Sequence, residues 1–388
     1  MENFLLKISN DLDNKNLNRT KIANKLKIDG ATLSRFLNGQ HQLMFHKYGE
    51  LLKEIYPNEI TTRRELCKEY SLSLIRPMNK KIAMYYLLSH GEFKLLKNLT
   101  NQRVTSKKCE WSVICELLYL RYSGKISGDK LLKKLNSVTK KLKTKTTEME
   151  VLCGIVMLHV RYDQENYKEM NKLSMELIGK ISDIQDDYIK GFLKFKIQEV
   201  IVYGLLMVAE IDKVRKYCFE IINDINSDKY FPIFKITAYG VLGQSYMFTD
   251  YKKALFYLRE AVKIIDNGPG DQMDVRKDMF LNTIDFLKIY WKIDLHLIKP
   301  IVKSERAFLE IQKGNFEEAI KILMEILEEK GYLDAYETFY LAIAKGNDPV
   351  LLSESLEIFE RSSNIFYAFL PKQCLGIKIR KCYNIMGG

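Results

Sequence analysis

The chain has 388 residues, which allows two or three domains at about 100–200 residues each. It is 47% apolar, 11% aromatic and 28% charged, a balance that excludes a disordered tail and a membrane-embedded protein. Only 7 prolines and 20 glycines occur. Helix breakers are thus scarce, and the composition predicts an all-α fold. The longest apolar run, Val200 to Ala209, is too short for a bilayer, which needs about 20 residues. Acidic Glu2 and the brief Phe4-Leu5-Leu6 patch do not make a secretory signal. The 7 cysteines (67, 109, 115, 153, 218, 374 and 382) are odd in number and never spaced as CxxC. Reduced buried thiols are expected rather than disulfides or zinc, in a cytoplasmic protein with no membrane contact and no cofactor.

The net charge of +12 is unevenly spread: +2 over residues 1–60, +14 over 61–147 and −4 over 148–388. One basic block therefore follows the N-terminal segment, with a slightly acidic body behind it. A localised basic surface suits a polyanion such as DNA. The blander reading is a solvated lysine-rich helix face.

Three short helices are predicted within residues 1–57. Ile22, Ala23 and Leu26 share one face of the first. A turn at Ile28-Asp29-Gly30 follows, where Asp29 caps the next helix and Gly30 relaxes the backbone. The second helix buries Leu33, Phe36 and Leu37, leaves Thr32, Ser34, Arg35 and Asn38 outward, and ends at Asn38-Gly39. A third runs from about His46 to Tyr56 and stops before Pro57. A helix, a tight turn and a helix with an exposed polar face form a helix-turn-helix signature.

The stretch "TKIANKLKIDGATLSRFLNGQ" resembles the Xre/Cro-like helix-turn-helix of bacterial and phage regulators. The resemblance implies that Gly30–Asn38 is a recognition helix with Thr32, Ser34 and Arg35 facing base edges. Arginine can bind guanine in a fork, and Thr or Ser can address either base type. Thr20 and Lys21 open the preceding helix, where a phosphate would meet free N–H groups. With Asn38 these are the candidate DNA-binding residues.

A weak period runs through the rest. Turn-proximal apolar anchors recur at Phe93, Ile126, Tyr167, Ile211, Tyr251 and Phe316. Periods of about 34–47 residues with paired helices mean an α-solenoid, and about seven to nine pairs would fit. Two units come close to the tetratricopeptide pattern. One carries Tyr239, Leu242, Gly243 and Tyr246, then Ala254, Leu258 and Ala261. The other is Lys313-Gly314-Asn315-Phe316-Glu317-Glu318-Ala319, leading to Leu323 and Ile326. Glycine and alanine there let paired helices approach closely.

Catalytic patterns find little support. His41, His46, His90, His159 and His296 are scattered, with no HExxH, and no phosphate loop or nucleophile elbow occurs. The protein is expected not to be an enzyme and to hold no metal. A solenoid instead offers a concave wall that can cradle an extended peptide. Tyr203, Met207 and Gln244 take wall positions in phase with Gly243. Asn282, Asp285, Glu305 and Asn364 are polar residues that could face the same groove. Amides can bond a peptide backbone and the acids a peptide cation.

The whole arrangement is similar to the peptide-sensing regulators of Gram-positive bacteria and their phages, and most of all to the arbitrium receptors of phages related to SPbeta. "YPNEITTRRELCKEYSLSL", "FKITAYGVLGQSYMFTDYKKAL", "ERAFLEIQKGNFEEAI" and "FLPKQCLGIKI" carry the resemblance. It implies a homodimer that binds operator DNA when ligand-free and governs a phage lysis–lysogeny decision. A peptide of about six residues would end that binding. It also implies a dimer interface in the last helices, at Phe366, Phe369, Leu370, Leu375 and Ile379. The family's pocket asparagines have Tyr203 and Met207 as their counterparts here, so a different peptide is expected. The domain plan is a DNA-binding domain at 1–57, a basic joint with the first solenoid helices at 58–147, a peptide-binding solenoid at 148–364 and a dimerisation helix at 365–388. The alternative is a Rap-like solenoid that inhibits a response regulator or other protein under peptide control. A tetratricopeptide scaffold without a small ligand is the third reading.

Overall fold

The computed structural model describes residues 3–101, 110–143, 146–266, 268 and 273–377. All regular structure among them is helical, as the composition predicts.

The head begins with α1 (Asn3–Asn14), α2 (Arg19–Leu26), α3 (Gly30–Leu37) and α4 (Phe45–Ile55). Asn18 caps α2 by accepting from the Lys21 amide at 3.0 Å. Asp29 caps α3, accepting from the Thr32 amide at 2.7 Å and its hydroxyl at 2.6 Å. The turn between them departs from expectation. Lys27, not Gly30, takes the left-handed conformation, with φ of 54°, and Gly30 is already the first helical residue. Gly39, at φ 73°, does end α3 as predicted. Phe4, Phe36, Phe45 and Tyr48 fill the head core together with Tyr70, which comes from α5 (Ile60–Ser73). The Tyr48 and Tyr70 rings lie 4.2 Å apart, so α5 closes the head although it lies beyond residue 57.

Helical pairs follow, joined by short connections that force antiparallel neighbours. They are α6 (Pro77–His90) with α7 (Phe93–Asn101), α8 (Glu110–Tyr122) with α9 (Gly128–Thr139), α10 (Thr147–Asp163) with α11 (Tyr167–Lys180), and α12 (Asp187–Met207) with α13 (Ile211–Asn223). A short α14 (Ile225–Tyr230) leads to α15 (Pro232–Gln244), paired with α16 (Tyr251–Asp266). Helix α17 (Met273–Tyr290) packs on α16 and α18. Pairs α18 (Lys303–Lys313) with α19 (Phe316–Lys330) and α20 (Ala335–Ala344) with α21 (Pro349–Arg361) follow, and α22 (Phe369–Cys374) is the last helix among the described residues.

The predicted close approach at Gly243 is present: a Cβ there would meet Leu258 Cγ at 2.7 Å and the Ala254 carbonyl at 3.0 Å. Most repeat anchors are inward, with Phe93, Tyr167 and Ile211 buried. Phe316, the first residue of α19, is the exception at 46% exposure. The basic block is split. Lys81 is buried against Glu148 at 2.7 Å and Trp111, whereas Lys130, Lys133 and Lys134 on α9, and Lys140 and Lys141 after it, are exposed.

The C-terminal segment requires a correction. Phe366, Phe369 and Leu370 are fully buried within the single chain. Phe248 meets the Phe366 ring at 5.2 Å and the Phe369 ring at 4.9 Å. They are core residues, not a free partner face. Leu375 is half-buried and Ile377 exposed; Ile379 lies outside the described residues.

Candidate functional site

On α3 the exposed face carries Ser34, Arg35 and Asn38, while Thr32 is half-buried. The Thr32 hydroxyl is engaged by Asp29. That bond is the leading cause holding the Asp29 carboxyl below its ordinary pKa. Among the described residues the Arg35 guanidinium makes only long contacts, at 3.4 Å, to the Ala31 carbonyl and the Thr32 hydroxyl, which leaves its fork open to an outside acceptor. Thr20 and Lys21 are exposed at the start of α2.

The head is bolted to the solenoid through α4. His46 stacks on Tyr188, the second residue of α12, with rings 4.5 Å apart. Burial pushes the His46 imidazole down to about 3, so it stays neutral there. Glu50 is buried and accepts from Lys47 at 3.1 Å, from Lys229 and from the Tyr230 hydroxyl. Lys53 reaches the Lys229 carbonyl at 2.6 Å.

Farther along α12 a cavity of about 260 Å³ opens between α8, α10, α12 and α17, walled by Tyr122, Tyr162, Tyr203 and Phe280 among others. Phe280 can reach it because Gly240 opposite has no side chain; a Cβ there would overlap the Phe280 ring. At the cavity edge, Lys196 and Glu199 form a buried ion pair one helical turn apart. Glu199 Oε1 also accepts from the Thr237 hydroxyl at 3.1 Å and faces Arg276 at 3.5 Å. Burial opposes the Glu199 charge, but Lys196 and Arg276 outweigh it and hold the carboxyl below its ordinary pKa. Lys196 donates to the Tyr122 hydroxyl, which leaves the phenolic hydrogen for His159 Nε2 at 2.8 Å. Burial, then Lys196, keeps His159 neutral. Arg121 is spent on Asp163, with Nε to Oδ2 at 2.9 Å.

A second cluster gathers around Glu305 on α18. Its Oε1 accepts from the Tyr340 hydroxyl at 3.3 Å, while its buried Oε2 has no hydrogen-bond partner among the described residues. Burial pushes the Glu305 carboxyl up to about 7; the Tyr340 bond pulls against this, and Asp285 and Asp334 add to it. Burial also raises Asp285. Asn364 is committed to structure, its Oδ1 accepting from the Tyr367 amide at 3.3 Å, and it also bonds the Tyr336 hydroxyl. Tyr367 is where the two clusters meet: burial raises its pKa, and Glu305, Tyr162 and Tyr203 add to that rise.

Glu305 binds its proton more tightly folded than unfolded, between its ordinary pKa of 4.5 and about 7. Its contribution to stability is complete below 4.5 and lost as pH rises through 7. Urea midpoints of wild type are expected to fall across that window. In Glu305→Gln this part of the decline disappears; an identical decline in both proteins would refute the assignment.

Of the seven sequence-predicted groove residues, the structure places Tyr203 on the cavity wall and brings Asp285, Glu305 and Asn364 into the second cluster. Met207, Gln244 and Asn282 do not line the cavity. Met207 instead gives its backbone carbonyl to the Phe366 amide at 3.0 Å. Sequence reasoning missed Lys196, Glu199 and Arg276. The signal for the first two was present: opposite charges three apart, just before the apolar run that ends α12.

A family model described as AimR transcriptional regulator-like matches residues 63–376. An uncharacterised protein of Bacillus anthracis is 32% identical over 256 residues, which is 66% of this chain and 94% of that protein. The AimR transcriptional regulator of Bacillus phage phi3T is 22% identical over 368 residues, covering 90% of each chain. Among solved structures, selenomethionine phAimR matches with a TM-score of 0.73 and 20% identity over 96% of each chain. A phAimR–ligand structure matches at 0.70 and 21% identity, over 84% of this chain and 95% of that one. These likenesses establish the solenoid-like all-helical fold.

Proposed function

The chain belongs to the AimR transcriptional regulator-like family, and from that premise we propose that it is a peptide-responsive, DNA-binding regulator of a phage lysis–lysogeny decision. A ligand-free homodimer in the host cytoplasm binds operator DNA through α2 and α3. A communication peptide of about six residues enters the solenoid and ends that binding. The observation that carries this reading is the course of α12. Within 21 residues, about 30 Å of helix, it touches the head at Tyr188, lines the cavity with Glu199 and Tyr203, and holds the C-terminal segment at Met207. A ligand that moves α12 thus acts on the seat of the DNA-reading head.

The two clusters give the groove a polarity. The cavity holds cations, and Glu305 with Asp285 offers acids to a basic residue of the peptide. Switching is a population shift, and moving the head from 1:99 to 99:1 needs a preference of about 5.5 kcal/mol for one state. A dimer contact in the C-terminal segment would use what it leaves open, Leu375 and Ile377, rather than Phe366 or Phe369.

The test is fluorescence anisotropy of the protein on DNA flanking its gene, from 50 to 200 mM salt, with and without hexapeptides encoded by neighbouring small reading frames. Tight, salt-sensitive binding that one peptide abolishes supports the reading; no preference over a random duplex refutes it. In the same assay Arg35→Ala is expected to cost about 1–3 kcal/mol on the operator. Lys21→Ala should weaken all duplexes alike and flatten the salt slope by about 1. The Rap-like alternative requires that Arg35→Ala and Thr32→Ala leave function intact.

A further inference from the structure

The loop between α3 and α4 is held from outside itself. Helix α4 has Met44 at its N-cap, which supplies no side-chain bond, so its first amides need an acceptor from elsewhere. Asn79, 1% exposed in the first turn of α6, supplies one: its Oδ1 accepts from the Phe45 amide at 2.7 Å. Its Nδ2 donates to the Leu43 carbonyl at 2.9 Å and faces the Tyr70 hydroxyl at 3.4 Å. Tyr70 donates to the same carbonyl and packs on Phe36 of α3, with ring centroids 5.7 Å apart. Gln42 holds the joint from the other side. Helix α6 also lacks a side-chain bond from its N-cap, Arg76. Gln42 Oε1 lies 3.3 and 3.4 Å from the Ile75 and Arg76 amides, and its Nε2 donates to the Ser73 carbonyl at 2.9 Å. Farther along, α6 belongs to the solenoid: Tyr85 stacks on Phe192 of α12 at 4.4 Å and donates to Glu148 of α10 at 2.9 Å. One helix therefore grips α10 and α12 with its middle and the backbone that follows α3 with its first turn.

We propose that Asn79 is a positioning residue for DNA reading: it closes the backbone after α3 onto α6, so that the first solenoid helix sets the angle at which Ser34 and Arg35 are presented. The proposal rests on the DNA-binding reading above. Two features favour positioning over simple filling. The Phe45 amide can only donate and the Leu43 carbonyl only accept, so the carboxamide is held in one orientation and specifies one placement of the loop. An aliphatic side chain would fill the same volume but strand both backbone groups. Base readout has the matching need: a forked arginine contact is lost when the helix that carries it tilts.

In the experiment the full wild-type chain first selects from a pool of randomised DNA duplexes. Fluorescence anisotropy then gives the ratio of its affinities for the enriched duplex and for the unselected pool, and the same ratio for Asn79→Ala and Gln42→Ala. The ratio separates positioning from folding, because partial unfolding lowers the competent fraction and weakens both affinities by one factor. In Asn79→Ala the ratio is expected to fall by about tenfold to a hundredfold, the discrimination that one forked contact carries. Pool affinity should stay within about threefold, since phosphate contacts carry no sequence information. Gln42→Ala removes a half-buried side chain and should lower the ratio by about threefold to tenfold, the scale of one hydrogen bond. It keeps the test decisive where Asn79→Ala is poorly folded. A wild-type ratio in every variant that folds overturns the positioning role and leaves DNA reading standing. Enrichment of no sequence by wild type overturns DNA reading itself, and the positioning role with it.

Discussion

Glu199→Ala is expected to lower the stability of the protein by about 3–5 kcal/mol, the cost of stranding a buried charge. Glu199 sits between Lys196 and Arg276, and neither its side chain nor that of Lys196 is more than 5% exposed. Deleting the carboxylate leaves the Lys196 ammonium with only the Tyr122 hydroxyl and the faces of Tyr122 and Phe234, in a site where burial already lowers the lysine pKa. The reverse experiment separates charge from packing. Replacing the pair together, Lys196→Met with Glu199→Leu, removes both desolvation costs and should be close to neutral, because hydrophobic replacement of a buried pair often is. Urea unfolding of the three proteins decides the matter. A loss below about 1 kcal/mol in Glu199→Ala would mean that the network is not desolvated as described. The double variant has a second use. It keeps the fold while removing the neighbour that orients Arg276, so a folded protein with impaired ligand response would show that the pair is retained for function.

Much of the fold was legible because local rules and burial agreed. Asp29 was readable as a cap, since a carboxylate three residues before an exposed threonine amide has an orphan donor to satisfy. Gly243 was readable as a close approach because its partner helix offers Ala254 and Leu258 at matching turns. The left-handed residue before α3 was not readable. Lysine pays a steric cost there that is offset by the backbone bonds closing α2, from the Lys27 amide to the Asn24 carbonyl and from the Ile28 amide to the Ala23 carbonyl, and no sequence signal marks it. The cavity was illegible for a different reason. Tyr122, His159, Glu199 and Arg276 come from four helices, and periodicity reports which face of a helix is inward without saying which inward faces meet. Glu305 was found as an acid beside a tetratricopeptide-like unit, but its partnerless oxygen and its proximity to Tyr340 are tertiary facts. Its role, like those of Met207, Gln244 and Asn282, could not be decided by phase alone.

The C-terminal segment shows the same limit most sharply, and Phe366→Ala tests it. An apolar run with few charges predicts burial but not by whom, and the sequence reads alike for a core and for a partner surface. In the structure Phe366 has no exposed surface. Its ring meets Phe248 at 5.2 Å and Tyr367 at 4.9 Å, and its amide bonds the last residue of α12. Truncation therefore opens a cavity inside one chain, and the expected loss is about 3–5 kcal/mol, as for buried phenylalanines elsewhere. The signature is its concentration dependence. A core defect lowers the urea midpoint by the same amount at every protein concentration, whereas loss of an interface would shift the dissociation equilibrium and make the midpoint vary with dilution. Ile377→Ala is the contrasting variant: at 43% exposure it has little core to lose, and any effect it has should appear in sedimentation rather than in unfolding. A concentration-dependent loss in Phe366→Ala with unchanged unfolding at high dilution would return Phe366 to the dimer interface. A uniform loss ties the segment to α12, and so to the helix that connects the cavity with the N-terminal head.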